Sequence, residues 1–168
     1  MAVSVFLDSS VLIAGLIDFG TQSAPAQAVL HAVAERHVSS AATAWHCCLE
    51  FYSVSTRLPA EYRLSPADAL QLIESEIFGR MTVVELPAAE RTTMLKAAAQ
   101  ERMTGGTIYD AHIAHVARAA GATVIVTDNR RHFLASLRYG IRVETPIEFL
   151  SSLKTGQSKA LPKPTDRG

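Results

Sequence analysis

The apolar positions of the chain take two forms that alternate from end to end. Short continuous runs, Val3 to Leu7 and Thr123 to Thr127, are long enough for buried strands and too short for helices. Between them lie longer stretches in which apolar residues return every three or four positions. The first of these begins at Val11, with Ser9 or Ser10 available to cap it, and the second covers Pro25 to Arg36 with Ala26, Val29, Leu30 and Val33 on one face. His37 to Ala41 reads as a short strand, followed by a helix over Thr43 to Leu58. Ser65-Pro66-Ala67-Asp68 has a cap, a proline in the first turn and an acid three residues after the serine, so a helix starts there and runs to Phe78 before Gly79.

Met81 to Leu86 is β-branched enough for a strand, and Pro87 opens a helix to about Met103 with Leu95, Ala98 and Ala99 inward. A glycine pair, Gly105-Gly106, precedes another helix that Gly121 closes. A helical turn (Arg131 to Leu137), a small strand (Ile141 to Val143) and a helix from Pro146 to Leu153 complete the pattern. Apolar strands alternating with helices predict an α/β fold with three layers, α/β/α, and a mostly parallel central sheet. Residues 1–153 form one domain on this reading, and 154–168, rich in Lys, Pro, Ser and Gly, a flexible tail.

Two helices carry unusual polar positions. On the Thr43–Leu58 segment, His46, Glu50, Ser53 and Arg57 make one narrow stripe on an otherwise apolar cylinder, which fits either a solvent face or the wall of a cleft. On the helix after the glycine pair, Thr107-x-x-Asp110 fits a capping box, while Ala111, Ala114 and Ala117 permit close approach to another layer. In parallel sheets, ligands bind beyond the carboxyl ends of the strands. Asp8 and Asp128 follow two such ends, and Asp110 opens the helix before the second, so the topology brings all three to one edge. Clustered carboxylates stay ionised together only around a cation. Oxygen-only donors without a His/Cys pattern select hard ions such as Mg2+ or Mn2+, which act commonly on phosphate esters.

Composition adds limits. The net charge is zero, yet residues 1–117 hold 7 Lys/Arg against 12 Asp/Glu and residues 118–168 hold 9 against 4, a shift from −5 to +5 that suits an acidic cluster facing a basic rim. No apolar run reaches the ~20 residues of a membrane span, and the N-terminus lacks the basic region of a signal peptide, which predicts a cytoplasmic protein. Cys47 and Cys48, adjacent on a helix, read as buried small hydrophobes in a reducing compartment.

Certain segments in order carry a family resemblance: Phe6-Leu7-Asp8-Ser9-Ser10, Cys48-Leu49-Glu50-Phe51, Tyr109-Asp110-Ala111-His112-Ile113-Ala114 and Val126-Thr127-Asp128-Asn129-Arg130-Arg131-His132-Phe133. They are followed by Gly140-Ile141-Arg142-Val143 and Thr145-Pro146-Ile147-Glu148-Phe149-Leu150. With them the chain, from Val5 to about Leu153, resembles the PIN-domain ribonucleases, most closely the VapC-type toxins of bacterial toxin–antitoxin pairs. The resemblance implies Asp8, Glu50 and Asp110 as catalytic metal ligands, with Ser10 hydrogen-bonding beside Asp8. It implies a fourth position at Asp128 or Asn129. It further implies Mg2+- or Mn2+-dependent cleavage of RNA, a homodimer, and inhibition by a small VapB-like antitoxin. Arg57, Arg130, Arg131 and Arg138 are candidate phosphate contacts. His46, His112, His115 and His132 are assigned to packing or surface. On this reading Thr107 caps its helix, the glycines let that helix approach the sheet, and Asp110 joins the metal set.

Competing enzymes fit less well. A phosphatase of the strand-end aspartate type needs a second Asp where Ser10 stands, a receiver domain needs paired acids and a late lysine, and a P-loop enzyme needs a glycine-rich Lys-Ser/Thr loop. The alternative from another class is a catalytically idle domain of the same fold that binds RNA or protein.

Overall fold

The computed structural model describes residues 2–158. Five strands form one sheet: β1 (Ser4–Leu7), β2 (Ser40–Ala44), β3 (Thr82–Val84), β4 (Val124–Val126) and β5 (Arg142–Glu144). Their order is β3-β2-β1-β4-β5, and every pair is parallel. Because β1 is central, the chain winds outward first to β2 and β3, then returns across to β4 and β5. The switch point lies between β1 and β4, where a crevice opens at the carboxyl ends of the strands.

Helices cover both faces, as an all-parallel sheet requires. On one side α1 (Ser9–Leu16) packs on α2 (Ala24–Ala34) and on α3 (Trp45–Ser55), and α7 (Pro146–Ser158) packs on α2. On the other, α5 (Ala88–Gln100) and a 3-10 segment (Arg130–Tyr139) flank α6 (Thr107–Ala119). The remaining helix, α4 (Pro66–Leu72), passes into a π-helical turn over Ile73–Phe78. The core joins strand residues Val5, Phe6, Leu7 and Val124 to Ile125 with Val11, Leu12, Phe51, Val116, Phe133 and Phe149 from the covering elements, all fully buried or nearly so. Removing any of these large side chains is expected to cost about 3–5 kcal/mol for Phe and about 2–5 kcal/mol for Leu or Ile. Cys47 and Cys48 are free and buried as expected; burial pushes the first thiol up to about 12 and the second to about 11.

Several boundaries differ from the sequence reading, each for a tertiary reason. The second strand is Ser40–Ala44, not His37–Ala41, because pairing with β1 sets Ser4 opposite Ser40 and Phe6 opposite Ala42. Ser9 and Ser10 lie inside α1 and do not cap it; Asp8 occupies the cap position, and both hydroxyls turn to its carboxylate. On α5, Met94 and Ala98 face inward, whereas Leu95 is 59% exposed and Ala99 is exposed too. The last helix passes Leu153 and reaches Ser158; the rest of the expected tail, 159–168, lies outside the described residues.

Candidate metal centre at the carboxyl edge of the sheet

Asp8 sits directly after β1 and is only 4% exposed. A carboxylate so buried needs hydrogen bonds, and three hydroxyls supply them. Ser10 Oγ donates to Oδ2 at 2.9 Å, Thr127 Oγ1 donates to the same oxygen at 2.8 Å, and Ser9 Oγ reaches Oδ1 at 3.4 Å. The Asp8 backbone N–H continues the β1–β4 pairing to the Val126 carbonyl. Thr127 also accepts from the Asn129 N–H at 3.0 Å, and Ser10 Oγ from the Asp128 N–H at 3.1 Å. One hydroxyl pair thus fixes the acid and the loop after β4. Ser10 holds the place expected of it. Thr127 was not among the expected site residues, although its position after an apolar strand, level with Asp8 after β1, is the signal that could have found it.

Glu50 enters from α3, which begins where β2 ends. The polar stripe divides: His46 and Glu50 are half-buried, while Ser53 and Arg57 are exposed. The apolar side of α3 is less covered than the sequence suggested, with Trp45 41% and Leu49 52% exposed.

Asp110 lies in the first turn of α6, whose N-terminus points to the same edge. The capping box expected here does not form. Thr107 is inside the helix, and its hydroxyl donates to the Thr104 carbonyl at 2.7 Å. The glycine pair does not serve close approach either: a Cβ at Gly105 or Gly106 would meet nothing, and the need for glycine at 105 is its left-handed φ of 58°. Gly121, at φ 70°, ends α6 as predicted.

Freed from capping, the Asp110 carboxylate meets His132 Nδ1 at 3.2 Å. Burial is the main force raising its pKa, His132 opposes, and the charges of Asp8 and Glu50 raise it further. Asp110 therefore stands in the fields of the other two acids. Asp128 is also held high, by burial and then by the charge of Asp8. Asn129 lines the adjoining recess with Asp128, Arg131 and His132. Among the described residues, no three His, Cys, Asp or Glu side chains are grouped as a ready-made cage for an ion. Asp8, Glu50 and Asp110 nonetheless bring three carboxylates to one edge, a set whose mutual repulsion a hard cation would relieve.

The arginines separate by partner. Arg130 pairs with Glu148 at 2.7 Å and Arg138 with Glu101 at 2.6 Å. Arg57 and Arg131 stand in no ion pair among the described residues, and Arg131 shares with Asp110 and His132 a cavity of about 230 Å³. His132, assigned to packing or surface from sequence, is exposed and makes this contact with Asp110. No local spacing announced it, since the 3-10 segment carries it back over α6.

Comparison with known proteins places the chain in a family. A family model described as the PIN domain matches residues 5–136. Ribonuclease VapC40 of Mycobacterium tuberculosis is 34% identical over 123 residues, covering 73% of this chain and 85% of the relative. Ribonuclease VapC27 of the same organism is 37% identical over 92 residues, covering 54% of this chain; the chain spans 64% of that relative's length. Among solved structures, PAE2754 from Pyrobaculum aerophilum aligns over 92% of this chain and 99% of its own, with a TM-score of 0.60 at 23% identity. The VapC-containing, DNA-bound VapBC structure from Salmonella typhimurium aligns over 86% and 98%, with a TM-score of 0.57 at 19% identity. At these identities the structures speak for the fold.

Proposed function

The chain belongs to the PIN-domain family, in its VapC-type branch, and on that premise we propose that it is a metal-dependent endoribonuclease acting as the toxin of a toxin–antitoxin pair. The observation that carries the reading is positional: Asp8 directly after β1, Glu50 on α3 and Asp110 in the first turn of α6 bring carboxylates from three separate elements to the switch point of a parallel sheet. Asp8, Glu50 and Asp110 would hold Mg2+ or Mn2+. Asp128 or Asn129, which line one recess together, would supply the fourth position.

When bound, such an ion would supply a water of lowered pKa and would offset charge on the leaving oxygen. The protein's own residues do the rest. Ser10 and Thr127 hold the Asp8 carboxylate in one orientation, so that it meets the ion without rearrangement. Arg131, in no ion pair among the described residues, shares a cavity with Asp110 and would contact phosphate there, and Arg57, just beyond α3, is a second candidate. Arg130 and Arg138 are engaged by acids and serve the fold of the 3-10 segment. The named relatives are ribonucleases, which supports an RNA substrate, and the VapBC structure supports a VapB-like antitoxin partner; the homodimer is part of the same reading.

Purified protein incubated with labelled structured RNAs is expected to cut them with Mg2+ or Mn2+, not in EDTA, and not as Asp8→Asn. RNA binding without cleavage under any metal would identify a catalytically idle module instead. Expression of the wild type is expected to arrest bacterial growth, with Asp110→Ala relieving the arrest; equal growth of both would remove the toxin assignment.

A further inference from the structure

Beside the acidic edge lies an open groove of about 380 Å³ between α3, α5 and the end of β3. Its wall carries Trp45 and His46, its floor Met94 and Leu86, and its rim Arg91 and Glu85. Each wall ring is backed by a second ring. His46 stacks on Tyr109 with centroids 5.2 Å apart and planes 11° apart, and Trp45 lies over Phe78 at 6.4 Å and 27°. Tyr109 is 56% exposed and precedes Asp110; His46 precedes Glu50 by four residues, on the same side of α3. Residues four apart on a helix are neighbours, about 5–6 Å between Cβ atoms.

We propose that this groove is a nucleobase subsite: an unpaired base of the RNA stacks on the His46–Tyr109 pair with Trp45 at its side, placing the adjoining phosphate beside Glu50 and Asp110. The inference rests on the nuclease reading for its substrate. Single-stranded RNA is recognised chiefly by splayed bases on aromatic faces, with base edges read by polar side chains. The rings here are fixed by their backing partners, so little freedom is lost when a base lands. Arg91, Glu85 and His112 bring donors and acceptors to the same space. A volume of about 380 Å³ is at the small end for ligand pockets, which suits one base better than the i, i+3/i+4, i+7 anchors of a docked helix. His46 and Tyr109 are thus positioning residues, remote from the bond that breaks but setting which nucleotide lies across the acids.

Trp45 is the sole tryptophan, so its emission reports the groove directly. The wild type is titrated with single-stranded hexaribonucleotides in EDTA and again in Ca2+, with cleavage in Mg2+ followed separately. RNA is expected to change Trp45 emission saturably. His46→Leu and Tyr109→Leu are expected to weaken binding roughly 5- to 100-fold, the loss falling on KM more than on kcat. Tyr109→Phe, which keeps the ring, restores affinity, and an abasic oligonucleotide binds wild type as weakly as the Leu variants. Circular dichroism checks that these half-exposed positions leave the fold intact. Affinity within twofold for both Leu variants, no binding at all, or RNA bound without any change in Trp45 emission would overturn the subsite. An emission change with an apolar helical peptide but not with RNA would assign the groove to a protein partner and overturn it equally. Stacking without cleavage in any metal would leave the subsite standing while the nuclease reading falls.

Discussion

Two stretches of the chain share one local pattern and end differently. Ser65-x-x-Asp68 and Thr107-x-x-Asp110 both place a hydroxyl residue three before an acid at a helix start. In the first, the box closes: Ser65 Oγ accepts from the Asp68 N–H at 3.1 Å and donates to its carboxylate at 2.7 Å. In the second, Thr107 turns back to the Thr104 carbonyl and Asp110 turns away to His132. Asp68 spends its oxygens within its own turn; Asp110 keeps one carboxylate available for the crevice. Local code offers both acids the same role, and the surroundings decide which accepts it.

The largest way to sharpen that contrast is activity. Asp110→Ala is expected to lower metal-dependent RNA cleavage by roughly a thousandfold, several kcal/mol of transition-state stabilisation, while Asp68→Ala leaves the rate within about twofold in the same gel assay. Loss of cleavage in both would mean that the second acid matters through folding alone. Stability should divide the other way. Urea denaturation is expected to show Ser65→Ala costing about 1 kcal/mol, as for a true cap, and Thr107→Ala less than about 0.5 kcal/mol. Equal costs would restore the capping role to Thr107.

Smaller is the competition at Asp110 itself. His132→Ala frees the carboxylate from an exposed partner and is expected to tighten Mg2+ binding about two- to fivefold by calorimetry, as for a surface pair; weaker binding would make His132 a supporting residue. The smallest effect is the pH dependence in EDTA. Asp110 is an acid whose folded-state pKa is raised, chiefly by burial, above its ordinary 3.8. The folded protein therefore holds that proton more tightly, and ionisation destabilises it. Relative to Asp110→Asn, the wild type should match at pH below the ordinary value and fall behind as pH rises through the raised one. Saturating Mg2+ should remove the difference. A melting-temperature gap that is flat across pH 3 to 8 would disprove the coupling.

How far the sequence carried the structure follows the same division between local and distant causes. The parallel sheet, Asp8 after β1 and the Ser65 helix start were legible, because a buried run or a turn of helix announces itself within a few residues. The second strand was misplaced by three residues, since Ser40-Ala41-Ala42-Thr43-Ala44 has little strand character of its own and takes its place from pairing with β1. His132 was missed because it reaches Asp110 only through the fold of the 3-10 segment. Glu50 could not be placed from composition; the family resemblance named it, and in the structure it is half-buried on α3.

The bond from Thr127 to Asp8 joins positions 119 residues apart. A chain emerging from the ribosome presents Asp8 early and its partner late, so the nascent protein carries an unfinished acid pocket until β4 has been made and docked beside β1. Folding of this kind waits on a long loop closing. The acid pocket is therefore among the last features of the fold to be completed.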